Sequence, residues 1–318
     1  MSVQNIFIKK ENNIAVVGAG FAGLAMAWEC LQTKECTVTL FDGEEPCASS
    51  IAGGLMHPYP GEHCLRSKWA TEGMEHSRAL FRVAEEAIGR PVYREGVLRR
   101  VQNDAQRARM QEHAKVFHDV EQIETDAFWI PSAATVFSSL YLKGLKKAIA
   151  QRGANIISQT IQTLRELESF DTIILAVGAG ICKFPECAHL PIQLVKGQIL
   201  HCLGTKIPEK SVVSKGYVAI AEDPHQCVVG STYEHIDSFQ ADIECATSLL
   251  VPQISLFFPA VQEFVISDCQ AGVRVVRRGN YLPLVVQLNA KTWVVTALGS
   301  RGLLYHALLA KRHLSTKA

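Results

Sequence analysis

The sequence predicts an α/β protein in which a parallel βαβ sheet is interleaved with a mainly antiparallel α+β domain. Three observations predict it. An apolar run of strand type ends in Gly18-Ala19-Gly20-Phe21-Ala22-Gly23 and is followed by a helical stretch and a second strand run. A buried run from Asp171 to Gly180 ends in small residues, as a central parallel strand does. From about Leu194 to Tyr233, short strand-like runs are split by turn signals, which suits an antiparallel sheet.

The first unit is the most explicit. Asn13-Ile14-Ala15-Val16-Val17 reads as a strand, Phe21 to about Thr33 as a helix, and Cys36 to Asp42 as the next strand. A G-x-G-x-x-G turn between strand and helix, with an acid closing the second strand, marks a dinucleotide site of the Rossmann type. Gly18 permits the tight turn, Gly20 lets the backbone approach a pyrophosphate, and Gly23 lets the helix pack close to the strand. The helix then aims unpaired N–H groups at the phosphates, and Asp42 accepts from the adenosine ribose hydroxyls.

Further along, Pro131-Ser132 reads as a helix start, with Phe137, Leu140, Tyr141, Leu145, Ala148 and Ile149 at helical spacing and Gly153 as the stop. Two β-type runs follow, Ala154 to Ser158 and Thr160 to Leu164. The second domain contributes Gln198 to Cys202, Tyr217 to Ala221 and Gln226 to Val229. Thr292 to Leu298 is a strand, Gly299-Ser300-Arg301-Gly302 a turn, and Leu303 to about Leu314 a closing helix. The expected division assigns 1–88, 131–190 and 270–318 to the dinucleotide domain and 89–130 and 191–269 to a substrate domain.

Composition bounds the rest. With 318 residues, 48% hydrophobic and 20% charged, the chain is an ordinary globular one with room for two domains. No apolar run approaches the roughly 18 residues of a membrane span. The N-terminus lacks the apolar core of a secretory signal. The ten cysteines include no CxxC pair, so they read as reduced thiols of a cytoplasmic protein. His57, His63 and Cys64 fit no standard metal spacing, so no metal is expected. The net charge of +1 hides an asymmetry: residues 271–318 carry Arg274, Arg277, Arg278, Lys291, Arg301, Lys311, Arg312 and Lys317, and no acid. These cations either neutralise a bound cofactor and a carboxylate substrate, or form a patch for a polyanion such as RNA.

Five stretches in order resemble the FAD-dependent D-amino-acid oxidase superfamily: the glycine motif, Ala48 to Leu55, the Leu175 to Gly180 strand, Pro191 to Gln198 and the Gly299 turn. Gly216-Tyr217-Val218 through Tyr233, and Ala297 to Leu303 with Ala307 to Ala310, look more narrowly like the C-terminal FAD domain of the bifunctional tRNA 5-methylaminomethyl-2-thiouridine biosynthesis (MnmC) family. The resemblance implies non-covalent FAD, held by Gly18, Gly20, Phe21, Ala22, Gly23 and Asp42, by Ser49, Ser50, Gly53 and Gly54, by Ile161 and Gly178, and by Gly299, Ser300, Arg301, Gly302 and Leu303. It implies that Arg274 clamps a substrate carboxylate, the task a planar guanidinium suits best. Tyr217, at the start of a strand after Gly216, either places its hydroxyl in the site or is a half-exposed tyrosine of the sheet. The Gly299 turn and its helix dipole are expected to stabilise negative charge on the flavin's pyrimidine side, and Arg301 either adds positive charge there or is a solvated cap residue.

The implied activity removes the carboxymethyl group of 5-carboxymethylaminomethyl-uridine at the tRNA wobble position, with glyoxylate released. A D-amino-acid dehydrogenase or glycine oxidase-like enzyme acting on free small amines is the alternative, and a catalytically degenerate flavin-binding protein the second. The family's D-x-x-P-x-x-G stretch is altered here: Gly279 to Val286 lacks both the acid and the last glycine. If tRNA is the substrate, Lys311, Arg312 and Lys317 are the expected phosphate contacts.

Overall fold

The computed structural model describes residues 6–8, 11–33, 36–43, 46–235 and 239–316. The chain opens with β1 (Ile6–Ile8), β2 (Asn13–Val17), α1 (Phe21–Cys30), β3 (Thr37–Asp42), α2 (Ala48–Ile51) and β4 (Leu55–Met56). The middle comprises α3 (Ala70–Ile88), β5 (Tyr93–Arg100), α4 (Asp104–Phe117), β6 (Glu121–Glu124), β7 (Ala127–Val136), α5 (Ser138–Gln151), β8 (Asn155–Ser158) and β9 (Thr172–Leu175). Then come β10 (Ile192–Leu203), β11 (Ser211–Val213), β12 (Tyr217–Ile220), β13 (Gln226–Gly230), α6 (Ile243–Ser255) and β14 (Val265–Arg277). The chain closes with β15 (Leu284–Gln287), β16 (Thr292–Thr296), α7 (Gly302–His313) and β17 (Leu314–Thr316).

Two large sheets carry the architecture, and the predicted α/β class with its parallel and antiparallel parts is what forms. The six-stranded sheet runs β15-β16-β9-β2-β3-β8, parallel except for the β15–β16 pair. The nine-stranded sheet runs β14-β10-β13-β12-β11-β5-β7-β4, with β6 on β7. There β11 runs parallel to β5 and the other neighbours are antiparallel.

The continuous apolar runs of β2 and β9 follow from burial on both faces. Ile14, Val16 and Ile174 enter one core together with Leu24 and Met26 of α1 and Leu304 and Leu308 of α7. Ala15, Val17, Ile173 and Leu175 alternate into a second core with Phe41 and Phe184. Each fully buried Leu or Met contributes about 1.5–3 kcal/mol, so α1 is held by its place between sheet and α7 more than by helix propensity.

Two sequence readings are corrected. Pro131-Ser132 does not open a helix: both residues lie within β7, and α5 begins at Ser138. The ladder between β5 and β7 shifts register between Glu95 and Val97, opposite Pro131, where the missing proline N–H makes a break tolerable. Thr160 to Leu164 is not a strand either. Thr163 and Glu166 form a capping box over a short helical turn, Leu164–Leu167, which takes the chain out of extended geometry. The expected segment boundaries at 131 and 270 fall inside β7 and β14.

Candidate active site

A cavity of about 1170 Å³ lies between the two sheets. One wall is made at the carboxyl ends of the parallel strands, by the turn after β2, the end of β3, and the segments following β9 and β16. Ligands of open α/β sheets bind at that edge. Gly18 has φ +103°, and a Cβ there would meet the Ala176 carbonyl oxygen at 2.6 Å. The wall is therefore backbone, brought close because side chains are missing. Gly20, Phe21 and Ala22 line the cavity at the start of α1. The Ser49 hydroxyl accepts from the Phe21 N–H at 3.1 Å and fixes that helix end. Gly23 does not line the cavity; a Cβ there would run into the Gly18 carbonyl, so it serves helix–strand packing.

The other predicted cofactor residues divide unevenly. Gly53, Gly54, Ile161 and Gly178 line the cavity, as do Gly299, Ser300, Gly302 and Leu303 at the start of α7. Gly54 has φ +74°, and a Cβ on it would collide with the Val136 carbonyl. Asp42 also lines it, and its carboxylate accepts from Lys146 Nζ at 2.6 Å. Ser50 does not: its hydroxyl caps α2, donating to the Cys47 carbonyl at 2.9 Å and accepting the Cys47 N–H at 3.1 Å. Arg301 is also outside the lining. Its guanidinium lies over the rings of Tyr281 and Tyr305, 5.7 and 5.6 Å from the centroids.

The opposite wall is the face of the nine-stranded sheet, and it carries side chains. Tyr217 packs over Gly53, where a Cβ would meet its ring at 2.5 Å. Burial pushes the phenol up to about 12, against the opposing pull of Arg274 and of hydrogen bonds with the Gly53 backbone and the Ser231 hydroxyl. Tyr217 is therefore neutral and able to donate. Arg274 donates from Nη2 to the Thr232 carbonyl at 2.9 Å and from Nη1 toward Ser231 Oγ at 3.4 Å. Its guanidinium sits 5.7 Å from the Tyr233 ring. Burial lowers its pKa from the ordinary value, and none of its recorded partners is a carboxylate.

A match to the DAO model, described as FAD dependent oxidoreductase, spans residues 13–314. The chain belongs to this family. FAD is its cofactor, and it is an FAD-dependent oxidoreductase. Among solved structures, this flavoenzyme is similar to glycine oxidase from Geobacillus kaustophilus, at TM-score 0.77 and 16% identity, covering 94% of this chain and 93% of that one. It is similar also to iminodiacetate oxidase from Chelativorans sp., at TM-score 0.76 and 17% identity, covering 96% and 100%. The bifunctional tRNA 5-methylaminomethyl-2-thiouridine biosynthesis protein MnmC of Hydrogenovibrio crunogenus is 24% identical over 266 residues. That match takes in 70% of this chain and 39% of the relative.

The residues present fit FAD. The glycine wall leaves backbone-lined space, the N-termini of α1 and α7 face it, and the volume exceeds the roughly 300–1,000 Å³ usual for a small-molecule site. Among the described residues no His, Cys, Asp or Glu group is arranged to hold a metal, and no helix is long and apolar enough to cross a membrane.

Sequence reasoning overlooked charged residues at and behind the side-chain wall. Lys196 is buried 3.8 Å from Glu234, whose other oxygen accepts from the Thr232 hydroxyl and from Gln198 Nε2. This network stands behind the Thr232 carbonyl that holds Arg274. Arg99 was missed as well, although Leu98-Arg99-Arg100 in a strand must send one of two adjacent arginines inward. Part of the basic tail is engaged within the chain. Lys311 pairs with Glu29 at 2.9 Å, Arg312 pairs with Glu72 and lies over Trp69, and Lys291 caps the Glu168 and Phe170 carbonyls. Lys317 lies outside the described residues.

Proposed function

We propose that this flavoenzyme oxidises a secondary, glycine-type amine, and that its substrate is 5-carboxymethylaminomethyl-uridine at the wobble position of tRNA. The carrying observation is Arg274: a largely buried guanidinium beside Tyr217, facing the cavity, whose recorded acceptors are all neutral. A substrate carboxylate supplies the missing negative charge through two parallel N–H···O bonds, and neutral Tyr217 donates to the same group. The clamp holds the adjacent carbon–nitrogen bond against the glycine wall. Bound FAD supplies two-electron oxidation of that bond. Water then hydrolyses the oxidised bond, giving glyoxylate and leaving the aminomethyl nucleoside.

The likeness to MnmC supports the tRNA substrate. In this reading FAD is bound non-covalently. Lys311 and Arg312 favour a second reading, because both are already paired within the chain: the substrate is then a free small amine carrying a carboxylate. Mass spectrometry of tRNA nucleosides from cells lacking the protein separates the two. The first reading requires carboxymethylaminomethyl-uridine to accumulate. An unchanged nucleoside profile leaves the free amine.

A further inference from the structure

We propose that Arg99, with His57 beside it, forms a second carboxylate-binding subsite in the same cavity, separate from the one at Arg274. Arg99 is 1% exposed and lines the cavity from β5. Its partners are neutral: the Tyr59 carbonyl at 3.4 Å, the Gly61 carbonyl at 2.9 Å and Cys64 Sγ at 3.2 Å. Glu62 borders the same end, but it is exposed and makes no ion pair with Arg99. A buried cation without a counter-charge is costly and calls for an anion. Two polar atoms at this end also lack partners: Arg99 Nε and His57 Nδ1. The arginine fork therefore still presents a donor, and a carboxylate matches its planar geometry.

The strand register shows that this end is distinct. Arg99 lies opposite Val213, and Val213 opposite Tyr217, so all three share one face of the sheet. Arg274 stands on β14, with β10, β13, β12 and β11 between it and β5. The Arg274 guanidinium leans over Gly197 of β10 to the Thr232 carbonyl, whereas Arg99 is held by the Tyr59 and Gly61 carbonyls and Cys64. The two guanidiniums share no partner and stand as separate anion positions, so the cavity takes two carboxylates, or one substrate or product with two anionic groups. The inference stands whether the amine is free or carried on RNA.

Methoxyacetate is a suitable probe, because its ether oxygen replaces the reactive nitrogen. Calorimetric titration into the FAD-loaded protein is expected to show two sites. Arg274→Met should remove one and leave the other. Arg99→Met should weaken the remaining one by about tenfold or more. If Arg99→Met does not fold, Arg274→Met still decides, since the site it retains is the one at issue. One site in the wild type, lost with Arg274→Met, overturns the proposal. One site lost with Arg99→Met alone keeps it and removes Arg274 from the clamp.

Discussion

The two walls of the cavity work in opposite ways. The wall built from the parallel sheet is defined by absent side chains: Gly18 and Gly20 open it, and the starts of α1 and α7 line it. The wall built from the nine-stranded sheet is defined by side chains standing on strands: Tyr217, Arg274 and Arg99. A backbone wall can hold a large cofactor common to many enzymes, because its shape survives most sequence change. In the proposed function, the side-chain wall is where the substrate is chosen. The difference teaches that damage to one wall should abolish cofactor binding, whereas damage to the other should spare it.

The largest effect is expected at Gly18. Gly18→Val places a branched side chain at φ +103° and against the Ala176 carbonyl. The purified variant should be colourless or fail to accumulate, whereas the wild type should be yellow and release FAD into the supernatant on acid precipitation. A yellow Gly18→Val protein would remove the glycine wall from the account. Arg274→Ala should retain its flavin spectrum and lose two to four powers of ten in kcat/KM toward a carboxylate-bearing amine, or roughly 3–5 kcal/mol for a pair lost from a desolvated site. An unchanged rate excludes Arg274 from the clamp.

These two positions also show what could be read in advance. The βαβ unit was legible because its chemistry is local: a strand, three glycines and an acid occupy one continuous stretch, and β2, α1 and β3 form there. The closing turn and α7 were legible for the same reason. Arg274 was named by resemblance and lines the cavity, but Lys196 and Glu234 behind it were not named, because the contact joins β10 to a segment further along the chain. Pro131 misled because a proline that opens helices is equally at home where a ladder breaks. Arg301 was placed at the flavin by its position before α7, but its guanidinium settles over two tyrosine rings.

One buried neutral histidine lines the cavity and another lies in the core with Tyr141, and pH tests both. Burial lowers His57 to about 3 and His306 to about 4. His306 donates from Nδ1 to the Leu303 carbonyl, leaving Nε2 to accept from Tyr141 at 2.6 Å. Both folded values lie below the unfolded value near 6.5, so the unfolded chain binds protons first. Stability is fully present above about pH 6.5 and falls as pH drops toward 4, by up to about 1.4 kcal/mol per pH unit for each histidine. Thermal unfolding between pH 7 and 5 should show this slope, and His57→Gln should reduce it by about half. A flat wild-type profile contradicts the burial of both groups as neutral species.

The smallest effect belongs outside both walls. Lys311→Gln with Arg312→Gln breaks two surface ion pairs worth about 0–1 kcal/mol each. Since both cations are engaged within the chain, tRNA affinity should change less than twofold. A salt-dependence slope lowered by about one unit per residue would return them to the phosphate backbone.

The central claim is that an amine clamped on the side-chain wall is oxidised by FAD held on the glycine wall. Its most direct test is anaerobic mixing of the FAD-loaded protein with tRNA bearing 5-carboxymethylaminomethyl-uridine, followed by flavin absorbance and glyoxylate. The account predicts bleaching with one glyoxylate per flavin in the wild type and neither in Arg274→Ala. Bleaching by a free carboxylate amine alone would keep the chemistry and transfer the substrate to the small-amine class. An unbleached flavin with both substrates would contradict the claim.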